Sequence, residues 1–270
     1  VHPYLVSAFP LAMAHRGGAG EGTENTLDAV ARAVDLGFTH VETDARATAD
    51  GVVLAFHDPD LGRLAGLPRD VGALRYAEVA ALPLAGGGRI PTMAELLERF
   101  PDVRFNIDAK EAAVLAPLVR LLRDADALSR VCVASFSDAR LAWLRAALGP
   151  GGCSSLGSGA VARLRAASVV PGLGWSGPVA DCVQVPLAVR GVPVVDRRFL
   201  DAAHGAELAV HVWTVDDPAT MHRLLDLGVD GLISDRPSVL AAVMAQRGCW
   251  PPRPPESVHS RGPRGCVPDR

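Results

Sequence analysis

The chain has 270 residues, 49% of them hydrophobic and 21% charged, with a net charge of −3 and a pI near 6.2. That length suits one large α/β domain or two small ones, and the composition allows a sizeable core. The near-neutral balance gives no reason to expect nucleic acid or an anionic membrane as partner, and no apolar run is long enough to insert stably across a bilayer. Residues 1–14 lack the basic start and apolar stretch of a signal peptide, so a cytoplasmic location is expected, with a removed leader before Val1 left open.

Leu11 to His15 reads as a short buried strand. Gly17, Gly18, Gly20 and Gly22 then form a loop whose backbone N–H groups are free to approach an anion. Thr26 precedes the periodic apolar run Leu27, Val30, Ala31, Val34, which Gly37 closes as a helix cap. His40 to Asp44 is a second strand. Asp50-Gly51 signals a turn, and Val52 to Phe56 reads as a third strand that delivers His57. Residues 59–91 break the alternation with four prolines, Gly86-Gly87-Gly88 and one short helix candidate from Arg75 to Leu82, so they read as an insertion.

Thr92 opens a helix through Phe100, and Val103 to Ile107 is strand-like, ending in Asn106-Ile107-Asp108-Ala109-Lys110. From there helices at 112–127, 138–148, 160–167, 199–204 and 218–227, with a last one ending near Gln246, alternate with strands. Those strands fall at 131–136, 153–156 (weakly), 182–185, 208–215 and 231–234. Cys132 and Cys182 sit in such strands and read as small buried hydrophobes; five cysteines without C-x-x-C spacing suggest neither a disulfide framework nor a zinc site. Residues 168–181 are rich in Gly and Pro and read as a loop. Residues 248–270 carry six prolines among Arg, Gly and Ser, and read as a disordered tail after a domain spanning 1–247.

Repeated β-then-α units argue for a parallel sheet covered on both faces. About eight strands suit a (β/α)₈ TIM barrel with a small insertion after the second βα region; a doubly wound sheet also fits the alternation. The polar groups favour the barrel. His15, Asp44, Asp108, Ser135 and Trp213 fall at or near the C-terminal ends of different strands, and such ends converge on one mouth when the sheet closes.

The chemistry concentrates early. Glu42 and Asp44 lie at i and i+2, so on a strand they point the same way. Two carboxylates side by side repel, and a divalent cation relieves that repulsion; an oxygen-only ligand set favours Mg²⁺ or Ca²⁺. His15 and His57 titrate near neutrality and suit proton transfer, while Arg16 suits an anionic oxygen. Taken singly each has a bland reading: a solvated strand face, or a satisfied rim histidine. Asn106, Asp108 and Lys110 share a face that reads equally as a polar strand end.

In combination, His15-Arg16-Gly17, Glu24-Asn25-Thr26, Glu42-x-Asp44 and His57-Asp58 resemble the signature of the glycerophosphodiester phosphodiesterase family, in order and at plausible spacing. The C-terminal third adds His211-Val212-Trp213 and Ser234-Asp235-Arg236-Pro237 to the resemblance, which spans roughly residues 11–245. It implies a TIM barrel that hydrolyses glycerophosphodiesters to sn-glycerol 3-phosphate and an alcohol with one divalent cation. Glu42, Asp44 and Asp108 would hold the metal, Arg16 and Lys110 the phosphate, and His15 and His57 would be the acid/base pair. Trp213 would pack on the substrate's carbon skeleton or merely cover the core. The family's insertion at 59–91 lines the substrate mouth. Three positions depart from the pattern: Thr23 for proline, Asp108 for the more usual Glu, and Asp216 for Asn, the last expected to tune the mouth electrostatically. The expected partner is a small phosphodiester; the sequence is silent on oligomeric state, on which histidine is the acid, and on attack by water or by a substrate hydroxyl. The rivals are a lysophospholipase D, which needs an apolar groove that 59–91 poorly supplies, a non-catalytic headgroup-binding barrel, and another phosphate-handling barrel.

Overall fold

A computed structural model describes residues 1–170 and 172–250. The barrel strands are β1 (Leu11–His15), β2 (His40–Ala47), β3 (Arg104–Ala109), β4 (Val131–Ala134), β5 (Cys153–Ser154), β6 (Cys182–Pro186), β7 (Ala209–Trp213) and β8 (Gly231–Ser234). All pair in parallel, in the spatial order β5-β4-β3-β2-β1-β8-β7-β6. The thinnest seam closes the ring: Ser155 bridges Cys182, with Leu156 N donating to Cys182 O and Asp181 N to Ser154 O, both at 3.0 Å. The fold is thus the (β/α)₈ barrel expected. Both sheet faces are covered, which is why β1 and β4 read as unbroken apolar runs rather than as alternation.

The helices α1 (Leu27–Asp35), α2 (Met93–Arg99), α3 (Leu115–Asp124), α4 (Asp138–Leu148), α5 (Ser158–Val169), α6 (Arg197–Gly205), α7 (Pro218–Leu227) and α8 (Pro237–Gln246) complete the eight units. Local chemistry fixes several starts. Thr26, Thr92, Ser137, Asp196 and Asp217 each accept a backbone N–H of the first turn, and Glu95 completes a capping box with Thr92. Helix faces such as Leu118 and Leu122 of α3 pack on strand residues such as Val41, Phe105 and Val133 in one continuous core. Each such side chain contributes roughly 1.5–3 kcal/mol by leaving water.

One predicted strand lies elsewhere. Val53–Ala55 pairs antiparallel with β2, Ala45 opposite Ala55, and so is a hairpin arm outside the barrel. The Asp50-Gly51 turn gives the physical reason, because a parallel return needs a crossover of about a dozen residues. The insertion follows this arm, between β2 and α2. It has its own small core of Leu61, Val71, Leu74, Val79, Leu84 and Ile90 against Leu54 and Phe56. At the barrel floor a short helical turn, Pro3–Leu5, inserts Tyr4 among the free thiols of Cys132, Cys153 and Cys182. His40 lies at this far end too, buried, with Nε2 3.0 Å from Tyr4 O; burial pushes its pKa down to about 4. The packed chain continues to Trp250, whose ring meets Phe38 edge-on at 4.8 Å. The remainder of the predicted tail, 251–270, lies outside the described residues.

Candidate active site

All eight residues singled out from the sequence line one cavity of about 780 Å³ at the C-terminal ends of the strands. Parallel register does the gathering. It sets His15 beside Glu42 across β1–β2, and Asp44 beside Asp108 across β2–β3. Glu42, Asp44 and Asp108 are 6%, 1% and 7% exposed, too buried for water to screen their mutual repulsion. Lys110 Nζ lies between two of them, 2.7 Å from Asp44 Oδ1 and 2.6 Å from Asp108 Oδ2. Arg16 Nε is 3.1 Å from Asp44 Oδ2. Burial alone would raise the Asp44 pKa; Lys110 and Arg16 outweigh it and hold the group below its ordinary value. For Glu42, burial together with the charge of Asp44 outweighs the opposing pull of His15 and Lys110 and pushes it up to about 7.

Three carboxylates therefore share two cations, and Asp108 Oδ1 is buried with no hydrogen-bond partner. A surplus of hard oxygen donors with an orphaned carboxylate oxygen fits a divalent cation of the Mg²⁺ or Ca²⁺ type. Among the described residues no three His, Cys, Asp or Glu side chains already converge closely enough to hold an ion. The Lys110 ammonium stands in that space.

The histidines are held alike at Nδ1. His15 Nδ1 lies 2.6 Å from Asp235 Oδ1, and His57 Nδ1 lies 2.7 Å from Asp58 Oδ1. A carboxylate on Nδ1 selects the tautomer that leaves Nε2 to act. His15 Nε2 is also 3.6 Å from Glu42 Oε2; burial alone would lower the His15 pKa, but Glu42 and Asp235 outweigh it and raise it.

The loop after β1 does something other than predicted. The N–H groups of Gly17, Gly18 and Gly20 are spent on Ala14 O, His15 O and Asp235 O, so they form no anion nest. The glycines instead permit close approach: a Cβ on Gly17 would sit 2.8 Å from Ala29 Cβ, and one on Gly18 2.7 Å from Pro237 Cγ. Arg16 and Asn25 adopt left-handed φ of 51° and 55°, a costly region for residues other than glycine. Both are pinned: Arg16 N donates to Glu42 Oε2 at 3.2 Å, Asn25 N to Arg16 O at 2.8 Å, and Asn25 Nδ2 to Asp44 Oδ2 at 2.8 Å.

A profile of the glycerophosphoryl diester phosphodiesterase family matches residues 15–239. The chain belongs to that family. Over 244 residues it is 38% identical to a probable glycerophosphodiester phosphodiesterase 2 of Mycobacterium tuberculosis, covering 89% of this chain and 92% of that one. The fold agrees with solved members. A putative glycerophosphoryl diester phosphodiesterase from Silicibacter pomeroyi matches with a TM-score of 0.76 at 21% identity, covering 92% of this chain and 99% of that one. A phosphodiesterase of Oleispira antarctica, solved with its product sn-glycerol-3-phosphate, matches with a TM-score of 0.72 at 22% identity, covering 88% and 97%.

Within this phosphodiesterase barrel the rim differs from expectation. None of residues 59–91 lines the cavity. The wall opposite the carboxylates is apolar, built by Phe136 after β4, Leu156 after β5, Val161 on α5, Val189 and Val192 after β6, and Trp213 at the end of β7. The β6 loop is a hairpin pairing Ala188–Val189 with Val192–Pro193, and Val192 is 65% exposed. Trp213 meets Phe136 edge-on with ring centroids 5.6 Å apart, and Lys110 Nζ stands 5.8 Å over the Phe136 ring. Asp216 works through position: its Oδ1 accepts Ser234 Oγ and Asp235 N, both at 2.8 Å, fixing the chain that carries Asp235.

Sequence reasoning named Asp235 and Glu24 within motifs but gave them no role, passed over Arg63, and missed the pairing of Asn106 with Gln184, whose amides exchange hydrogen bonds at 3.1 Å beneath the site. Alternation had placed Asn106 on the face of Asp108 and Lys110, but not against Gln184. Asp235 lies 220 residues from His15, and only closure of the barrel brings it there.

Proposed function

We propose that the chain is a metal-dependent glycerophosphodiester phosphodiesterase that releases sn-glycerol 3-phosphate and an alcohol. The observation that carries this reading is the pair of histidines, each with a carboxylate on Nδ1, facing one cavity beside three buried carboxylates and two cations. A phosphodiester is an anion and resists a neutral nucleophile, so its site must offset charge and supply a proton to the departing alkoxide. Glu42, Asp44 and Asp108 would hold one Mg²⁺ or Ca²⁺, which would supply Lewis-acid polarisation of the phosphodiester. Arg16 and Lys110 share the remaining negative charge, with Lys110 leaving Asp108 for the phosphate. His15 and His57 accept and donate the two protons. A binder without activity has no use for both histidines and all three carboxylates.

The apolar wall favours a second reading of the alcohol side. Phe136, Val189, Val192 and Trp213 offer a bound diester far more hydrocarbon than a choline or ethanolamine needs, and this suits a lysophospholipid carrying an acyl chain. The groove that 59–91 could not supply lies across the mouth, on the β6 hairpin. Choline release from glycerophosphocholine and from lysophosphatidylcholine, with and without Mg²⁺ or Ca²⁺, decides. Release from neither substrate under any metal condition overturns the hydrolase reading, and release from only one names the substrate class.

A further inference from the structure

The insertion reaches the charged groups of the site through Arg63. Its short helix Gly62–Ala65 places Arg63 at the rim, where the guanidinium spans two carboxylates. Nε donates to Asp58 Oδ2 at 2.6 Å, while Nη1 and Nη2 donate to Glu24 Oε2 and Oε1 at 3.1 and 2.6 Å. The other oxygen of Asp58 accepts from His57 Nδ1 at 2.7 Å. Glu24 Oε1 also accepts from Arg16 Nη1 at 3.0 Å. From the Asp58 that holds His57, an unbroken alternation of charge thus runs through Arg63, Glu24 and Arg16 to Asp44.

The two histidines are supported unequally. Asp235 follows β8 directly, and its backbone is tied to Asp216 within the barrel. Asp58 stands on an irregular segment after the hairpin arm, and the fixed contact of its second oxygen is Arg63. The Arg63 side chain is 48% exposed, so as an ion pair it adds little to stability. Its worth is geometric: a rigid fork satisfies three acceptors at once, which an ammonium does not reproduce.

We propose that Arg63 is a positioning residue for His57, clamping Asp58 so that the imidazole keeps Nδ1–H on that carboxylate and Nε2 on the phosphodiester. The insertion then supports catalysis from behind the histidine, without lining the mouth. This rests on the reading that His57 moves a proton in diester hydrolysis.

Two measurements test it. In glycerophosphocholine turnover, Arg63→Ala lowers kcat roughly tenfold to a hundredfold with KM within about twofold, and Arg63→Lys recovers little. In a His57→Ala background, Arg63→Ala costs nothing further, because the residue acts through the missing ring. Equal losses in both backgrounds overturn the proposal and assign Arg63 to Glu24 and Arg16 instead. Independently of any substrate, the Nδ1–H resonance of His57 in the full-length protein broadens or shifts in Arg63→Ala, while that of His15 on Asp235 stays put and reports an intact barrel. A His57 resonance unchanged in Arg63→Ala also overturns it. A parent protein that hydrolyses no phosphodiester sinks the functional reading alone, and the resonance still decides the clamp.

Discussion

The two walls of the cavity are built by opposite means. On the β1–β3 side, charged groups are fixed by strand register and by one another: His15 beside Glu42, Asp44 beside Asp108, Lys110 and Arg16 among them. On the β4–β7 side most of the wall comes from the segments that follow the strands, and its contacts are hydrocarbon edges such as Phe136 on Trp213 and an exposed hairpin. Strand ends place reacting groups to fractions of an ångström; loops tolerate replacement and suit selection among substrates. The difference teaches that chemistry and specificity are separable here, and experiments aimed at one wall should leave the other's property alone.

The largest expected effect is removal of the metal. With EDTA, hydrolysis should fall by roughly 10³-fold or more and return with Mg²⁺ or Ca²⁺, because three buried carboxylates repel a phosphodiester unless a cation offsets them. Full turnover in strong chelator breaks the assignment of the polar wall. Asp108→Asn sharpens it. That change removes the carboxylate charge and keeps the shape, so titration calorimetry should show weaker Mg²⁺ or Ca²⁺ binding. Asp108→Glu, the residue more usual in the resembled signature, should bind nearly as the parent. Unchanged affinity in Asp108→Asn would mean that Asp108 serves Lys110 alone.

Next come the histidines. His15→Ala and His57→Ala should each lower turnover by roughly 10²–10⁴-fold with the fold intact, since neither packs the core. A p-nitrophenyl phosphodiester, whose leaving group departs without a proton, separates them. The variant lacking the general acid recovers much of its rate on that substrate, and the variant lacking the base does not. Equal impairment on both substrates would recast the pair as phosphate ligands.

The polar wall was legible in the sequence because its parts sit in short motifs on strands of period two. Glu42 and Asp44 share a face by alternation, and His15 and His57 are flagged by their neighbours. Barrel closure followed from the polar groups at the strand ends, since the βα alternation also fits a doubly wound sheet, and nine strand-like segments had to be reduced to eight barrel strands. Val53–Ala55 was surplus, and the Asp50-Gly51 turn before it already marked a hairpin. What escaped reading depends on contacts that no sequence period encodes, most of them distant in sequence. Asp235 on His15 and Arg63 on Asp58 and Glu24 have no local pattern. The glycine loop misled for a related reason: glycine signals freedom of the backbone, and here helix α1 and Pro237 use that freedom rather than an anion. The apolar wall was invisible because Phe136 lies in one loop and Val189 and Val192 in another, and apolar loop residues carry no period.

The smallest expected effect falls on that wall and tests the separation directly. Val192 is 65% exposed and Val189 52%, so charging either removes little core packing and should leave thermal stability near that of the parent. Val192→Asp sets a carboxylate where an aliphatic chain would lie. A chain methylene in contact with protein gains about 0.8 kcal/mol, so losing the contact of one or two costs roughly tenfold in binding. With a short-chain lysophosphatidylcholine kept below its micelle concentration, KM should therefore rise about tenfold at unchanged kcat, as expected when an interaction equal in ground and transition states is lost. With glycerophosphocholine, which has no chain to lie there, Val192→Asp should match the parent in both constants. A parallel rise in KM on both substrates would place the β6 hairpin over the shared glycerophosphate, and the two walls would no longer divide chemistry from specificity. No change on either substrate would leave the hairpin outside the substrate's reach, and the apolar wall would then have no part in choosing the substrate.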